Sequence, residues 1–158
     1  MTVCTLCGRN EAVFGRSYSG ENLCGRCFCR TVEDRVRKTI SRYEMLGPKD
    51  RIMVAVSGGK DSVTLLHILA KIEKAFPDVV LCAGTVDEGI GEYRDEALRI
   101  AEGNCRKLGV EHVVTSFKEL FGYELDEIVE LIRGRGESGL TSCSFTSSAE
   151  ASNAGLIF

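Results

Sequence analysis

Two sets of residues have the types and spacing to do chemistry. The first is Ser57-Gly58-Gly59-Lys60-Asp61-Ser62, directly after the apolar run Ile52-Met53-Val54-Ala55-Val56. Two glycines let successive backbone N–H groups curl into a concavity, and a helix beginning there sets the positive end of its dipole behind them. That combination suits phosphate. Neither a Gly-x-x-x-x-Gly-Lys-Ser/Thr loop nor a Gly-x-Gly-x-x-Gly fingerprint after a strand occurs, so the commoner nucleotide seats are excluded. The plainer alternative is a Gly-rich strand-to-helix turn with Ser or Asp as an ordinary N-cap.

The second set is Cys4-x2-Cys7 and Cys24-x2-Cys27, with sixteen residues between the pairs. Each Cys-x-x-Cys turn aims two thiolates at one point, and a tetrahedral Zn²⁺ closes the turns on each other. Four thiolates leave no open coordination position, so the expected zinc knuckle is structural rather than catalytic. Gly8 and Gly25 each follow a cysteine, where such turns need backbone freedom. Cys29 is a spare, readable as a substitute ligand or as a small apolar residue.

The elements that must position these groups follow from periodicity. Thr31 is placed to cap a helix, with Asp34 three positions on, and Val32, Val36, Ile40, Tyr43 and Leu46 form its apolar stripe. Arg35, Arg37, Lys38 and Arg42 lie off that stripe, either to track a phosphate backbone or simply as a solvated face. Gly47-Pro48 ends it. Ile52–Val56, too short for a helix, reads as a strand buried on both faces. Val63 to Phe76 reads as a helix broken at Pro77-Asp78, and Val79 to Val86 as a second buried strand. Asp87-Glu88-Gly89-Ile90 lies past its carboxyl end, where ligands bind in open α/β sheets. A helix from Tyr93 to Leu108 carries Ala97, Ala101, Cys105 and Leu108 inward and stops at Gly109. A strand from His112 to Phe117 and a helix from Leu125 to Ile132, stopped by Gly134, complete the pattern, with His112 a packing or surface residue rather than a ligand. This order calls for an α/β fold with a parallel sheet and right-handed crossovers.

The chain has 158 residues, 44% of them apolar, enough for one domain core and a small appendage. Without a run of eighteen apolar residues or a secretory start, a soluble cytoplasmic protein with no membrane partner is expected. Eight cysteines in a reducing cytosol point to metal ligands or reactive thiols. The net charge of -3 conceals an asymmetry: residues 1–51 hold ten Lys or Arg against six acids, the remainder ten against seventeen. A basic front beside an acidic body is suited to gripping a polyanion.

Ser-Gly-Gly-x-Asp-Ser resembles the PP-loop of the ATP pyrophosphatases, which cut ATP between its α and β phosphates. With the paired cysteines, Val86-Asp87-Glu88-Gly89-Ile90 followed by Tyr93-Arg94, and Phe117-Lys118-Glu119-Leu120-Phe121-Gly122-Tyr123, the chain resembles the cytosolic tRNA 2-thiouridine synthetases of archaea and eukaryotes. The resemblance implies an enzyme that adenylates the C2 oxygen of a tRNA uridine, releases pyrophosphate, and lets sulfur displace AMP. It implies a partial doubly wound, adenine nucleotide alpha hydrolase-like sheet. Gly58 and Gly59 amides with the Ser57 and Ser62 hydroxyls would hold pyrophosphate, Lys60 would supply a mobile positive charge, and Asp61 would hold Mg²⁺. The backbone near Ala55 and Val86 would border the adenosine of ATP. Sulfur would come on a ubiquitin-like carrier protein, and the family also carries an iron-sulfur cluster on three cysteines.

Residues 1–30 are expected as the knuckle, 31–49 as a basic amphipathic linker helix, 50–140 as the N-terminal half of the PP-loop domain, and 141–158 as a divergent tail. Thr141-Ser142-Cys143-Ser144-Phe145 enters the family's cluster motif, but Thr146 stands where its second cysteine belongs. Cys143 is thus a lone cluster ligand or a persulfide carrier, and one thiolate cannot hold a cluster. The resemblance covers about half of a typical member, as in a truncation or frame shift near codon 146. Strands beyond Ile52–Val56 would then be missing, which predicts an unpaired edge, weak nucleotide binding, no turnover, and association, as a homodimer, or aggregation through that edge. Two other readings remain: a zinc-dependent RNA-binding fragment without catalysis, and a PP-loop ATP pyrophosphatase acting on a non-RNA substrate.

Overall fold

The structure is a computed structural model and describes residues 2–89 and 94–133. The chain divides into two compact units, one of residues 1–50 with Lys74–Val79, the other of Arg51–Glu73 with the chain from Val80 onward.

The first unit is built on thiols. A hairpin of β1 (Phe14–Arg16) and β2 (Glu21–Leu23) leads into helix α1 (Gly25–Arg42). Its core is Cys4, Leu23, Cys24 and Cys27, with Cys7 and Phe28 packed against it. Three-residue strands are too short to show alternation, which hid the hairpin in the sequence. The helix starts six residues before Thr31. Cys24, extended at φ -73 and ψ 160, is its N-cap, so the second Cys-x-x-Cys turn is continuous with the helix. Thr31 therefore does not cap. Its hydroxyl donates to the Phe28 carbonyl (2.8 Å) and accepts from Arg16 Nη2 (2.7 Å), while Arg16 Nη1 reaches Glu21 Oε2 (3.1 Å). The helix also ends earlier than its apolar stripe. Ile40 is buried, but Tyr43 lies past the last turn with its ring exposed, and Glu44 has φ 49.

The second unit is an α/β layer. Strands β3 (Arg51–Ala55), β4 (Val80–Asp87) and β5 (Glu111–Ser116) form a parallel sheet in the order β3-β4-β5. Helices α2 (Lys60–Ile72) and α3 (Arg94–Leu108) make the two crossovers. Because the strand order advances in one direction, same-handed crossovers must place both helices on one face. The core obeys this: Val54, Val56, Leu81 and Ala83 of the sheet pack with Leu66 and Ala70 of α2 and Ala101 and Cys105 of α3.

The same rule overturns one expectation. β3 was read as buried on both faces, yet Val54 is 3% exposed and Met53, its neighbour on the other face, is 65% exposed. Ala55, Val80, Val86 and Val113 share that uncovered face. Among the described residues β3 is also an edge of the sheet, as the sequence led one to expect.

Helix ends follow local chemistry. Past α3, Gly109 N–H bonds to the Arg106 carbonyl and Val110 N–H to that of Cys105, the paired bonds of a Schellman stop. Phe117, expected as the end of the third strand, instead opens the short helix α4 (Phe117–Phe121). Ser116 and Glu119 form a reciprocal capping box there, which outcompetes one more strand residue. Helix α5 (Leu125–Arg133) follows, burying Leu125 and Val129. Gly134, Cys143 and Thr146 lie outside the described residues.

Candidate functional site

The expected phosphate seat lies where β3 hands over to α2. Val56 N–H still bonds to the Gly84 carbonyl (2.8 Å), so the sheet holds the chain up to the residue before Ser57. Gly59 is then the N-cap of α2, extended at φ -73 and ψ 159, and no side chain caps the helix. Ser57 and Asp61 are therefore not ordinary caps. The first backbone N–H groups of a helix have no intrahelical acceptor, so α2 presents its opening amides and the positive end of its dipole with no side-chain cap among the described residues.

Gly58 fixes the curl. Its φ of +78 is a left-handed conformation, and a Cβ there would stand 2.8 Å from Ala97 Cα and closer still to the Ala97 carbonyl of α3. Only glycine fits both constraints. The hydroxyls are drawn together as well. Ser62 Oγ donates to the Gly59 carbonyl (3.1 Å) and lies 3.3 Å from Ser57 Oγ. Lys60 Nζ and Asp61 Oδ2 form an ion pair of 3.1 Å, with both side chains nearly fully exposed. Such a pair costs little to open, so both groups can re-aim toward a ligand. Ala55 and Val86 lie on the same uncovered face of adjacent strands, Ala55 pairing with Gly84, two residues before Val86.

Two carboxylates at the carboxyl end of β4 were noted in the sequence only by position. Asp87 is buried and its Oδ1 accepts from Gly89 N–H (3.1 Å). Burial, and then the charge of Asp87, push the Glu88 carboxyl up from its ordinary range. The Glu88 carbonyl in turn accepts from Leu125 N–H (3.0 Å), tying the start of α5 to this end of the sheet.

In the first unit, the Sγ atoms of Cys4, Cys7, Cys24 and Cys27 all lie within 4.8 Å of one another, and Cys7 and Cys24 are 4.0 Å apart. A tetrahedral ion bound at 2.3 Å to sulfur needs about 3.8 Å between sulfurs, so a single Zn²⁺-like ion fits with small adjustment. Amides are aimed at the sulfurs. Cys24 N–H holds the Cys4 thiol down at about 6, and Cys27 N–H lowers that of Cys24. Burial, with the neighbouring thiols, pushes Cys27 up to about 12. A metal would thus displace a firmly held proton from Cys27 while finding Cys4 ready. Gly8 takes φ +63 after the first pair, but Gly25 is simply the first helical residue, so the expected freedom is used at only one of the two. Cys29 is exposed on α1 and outside the thiol group, which removes it both as a ligand and as a packed apolar residue.

An iron-sulfur cluster does not fit these thiols. Four iron atoms between them would hold the sulfurs farther apart than a single ion does. Among the described residues no other group of three or more potential ligands is gathered.

The PP-loop domain family matches residues 30–129. The cytoplasmic tRNA 2-thiolation protein 1 of Oryza sativa subsp. japonica is 35% identical over 133 residues, covering 82% of this chain and 36% of that protein. The tRNA 2-thiolation protein NcsA of Haloferax volcanii is 38% identical over 134 residues, covering 80% and 41%. Among solved structures, the U34-tRNA thiolase NcsA from Methanococcus maripaludis, with its 4Fe-4S cluster, superposes with a TM-score of 0.75 at 32% identity, covering 93% of this chain and 46% of that one. The chain thus spans about two fifths of the length of these curated relatives.

Two outcomes test the geometry. Gly58→Ala should destabilise the fold by about 1–3 kcal/mol through the left-handed backbone and the Ala97 clash, measured by urea unfolding. An unchanged midpoint would mean that the loop has another conformation. Metal analysis should find one zinc per chain, and Cys24→Ser should lose it together with the helical signal of the first unit. Retention of zinc by that variant would contradict four-thiolate binding.

Proposed function

Because the chain belongs to the PP-loop family and its relatives in that family are tRNA 2-thiolation proteins, we propose that it is part of an ATP-dependent tRNA sulfurtransferase forming 2-thiouridine. The reading is carried by one observation: a glycine-led helix start whose amides no side chain caps, directly after a strand of a parallel sheet.

In this reading the uridine C2 oxygen attacks the α phosphorus of ATP, the bond to the β-phosphate oxygen breaks, and pyrophosphate leaves. Gly58 and Gly59 amides and the Ser57 and Ser62 hydroxyls receive that leaving group, and their worth grows as negative charge develops on it. Lys60 swings from Asp61 to the same oxygens. Asp61, an exposed single carboxylate, suits Mg²⁺, which binds through one or two carboxylates plus phosphate oxygens and neutralises charge there. The backbone at Ala55 and Val86 borders the adenosine. A sulfur nucleophile then attacks C2, and the C–O bond to AMP breaks. The sulfur comes from the thiocarboxylate tail of a ubiquitin-like carrier protein, and water then hydrolyses the acyl–sulfur bond, leaving the carrier as a carboxylate and the sulfur on C2. The cysteines gathered among the described residues do not fit an iron-sulfur cluster.

Cys4, Cys7, Cys24 and Cys27 hold structural Zn²⁺, and the exposed Arg26, Arg30, Arg35, Arg37, Lys38 and Arg42 of α1 meet the tRNA phosphates. The protein works in the cytoplasm, as its relatives' names state of them, and no helix among the described residues is long and apolar enough to cross a membrane. The edge that β3 forms among the described residues pairs two copies into a homodimer.

A second reading, RNA binding without turnover, is favoured by the gathered cysteines and the exposed basic side chains of α1, neither of which needs a nucleotide. One assay separates the two. With tRNA, ATP and a sulfur donor, the enzyme reading expects pyrophosphate and AMP in equal amounts with thiolated tRNA, and a loss of about 100-fold in Lys60→Ala. Salt-sensitive tRNA retention without pyrophosphate would establish the second reading, and pyrophosphate release indifferent to tRNA would refute both.

A further inference from the structure

A line of side-chain hydrogen bonds crosses the sheet just below the phosphate seat. Thr85 of β4, 6% exposed, donates from Oγ1 to the Val56 carbonyl at 2.6 Å. The same Oγ1 lies 2.8 Å from Nε2 of His112 on β5. A carbonyl oxygen has no hydrogen, so the single hydroxyl proton of Thr85 must point to Val56, and the hydrogen in the second bond must come from His112 Nε2. The three groups thus have fixed roles: imidazole donates to hydroxyl, and hydroxyl donates to carbonyl.

The carbonyl at the end of this line matters because of what shares its peptide. No cis peptide bonds occur in the described chain, so the Val56 C=O and the Ser57 N–H are opposite ends of one planar trans unit and point in opposite directions. The regular ladder between β3 and β4 ends with the Ala55–Gly84 pair, so beyond it a side chain grips the backbone. We propose that Thr85, held by His112, is a positioning residue that fixes the peptide between Val56 and Ser57 and so sets the direction of the first amide of the phosphate loop. This rests on the reading of Ser57–Ser62 as the seat of the ATP phosphates. Neither residue touches nucleotide. Their effect on affinity passes through the orientation of Ser57.

The test uses the full chain, ¹⁵N-labelled, as wild type, Thr85→Val, Thr85→Ser and His112→Gln. Wild-type imidazole ¹⁵N shifts should show a hydrogen on His112 Nε2. Thr85→Val, nearly isosteric but without the hydroxyl, should shift the Ser57 amide and weaken ATP binding about tenfold, the effect of one lost hydrogen bond. Thr85→Ser restores the donor and should recover affinity to within about threefold, and His112→Gln, which keeps a donor at that place, should behave likewise. A His112 tautomer with hydrogen on Nδ1 alone, or a Ser57 amide unmoved in Thr85→Val, overturns the clamp whatever the nucleotide result. If wild type binds no ATP at all, the phosphate-seat reading fails, while the tautomer and the Ser57 shift still decide on the clamp.

Discussion

The structure depends on a helix that begins without a cap. At the start of α2 the backbone offers donors and, among the described residues, no side-chain oxygen caps them, which is costly unless solvent or a ligand does so. The surrounding architecture maintains this condition. β3 is pinned by its register with β4, Gly58 is pressed against Ala97 in a conformation other residues resist, and Ser62 bonds back to Gly59. Stability has been given up at one point, and the parallel sheet and its two crossovers hold that point still.

The first unit shows the same logic with a different group. A core composed of thiols, one leucine and a half-buried phenylalanine is too small to hold a hairpin and an eighteen-residue helix together without a cross-link. Amides of Cys24 and Cys27 aimed at sulfur lower the Cys4 and Cys24 thiols, which favours thiolates for a cation; in the proposed reading the glycine amides serve an anion in the same way. Both sites use the start of a helix. One gathers four sulfurs, and the other has no side-chain cap among the described residues.

Much of this was legible in the sequence. The β3 run and the glycines announced the strand-to-helix turn, and the two Cys-x-x-Cys pairs announced the thiol group, because each strand, turn or pair is a local pattern whose residues lie within a few positions of one another. Element boundaries fared worse where two signals competed. Phe117 read as strand because it is apolar, but Ser116 and Glu119 are three apart and draw it into a helix. Thr31 read as a cap because the helical pattern is clear only after it, whereas Cys24 had already started the helix. The exposed face of β3 was missed because apolar composition does not tell which neighbours are present to cover it. The Thr85–His112 line had no local signal at all, since its members are twenty-seven residues apart and meet only through the register of β4 with β5.

The central claim is that the opening amides of α2 receive a diphosphate. The most direct measurement is a titration of the ¹⁵N-labelled chain with inorganic pyrophosphate, followed amide by amide. The account predicts saturable shifts that are largest at Ser57, Gly58, Gly59, Lys60 and Asp61, with smaller movements along α1. Shifts confined to the arginines and lysine of α1, with the loop amides unmoved, would contradict it.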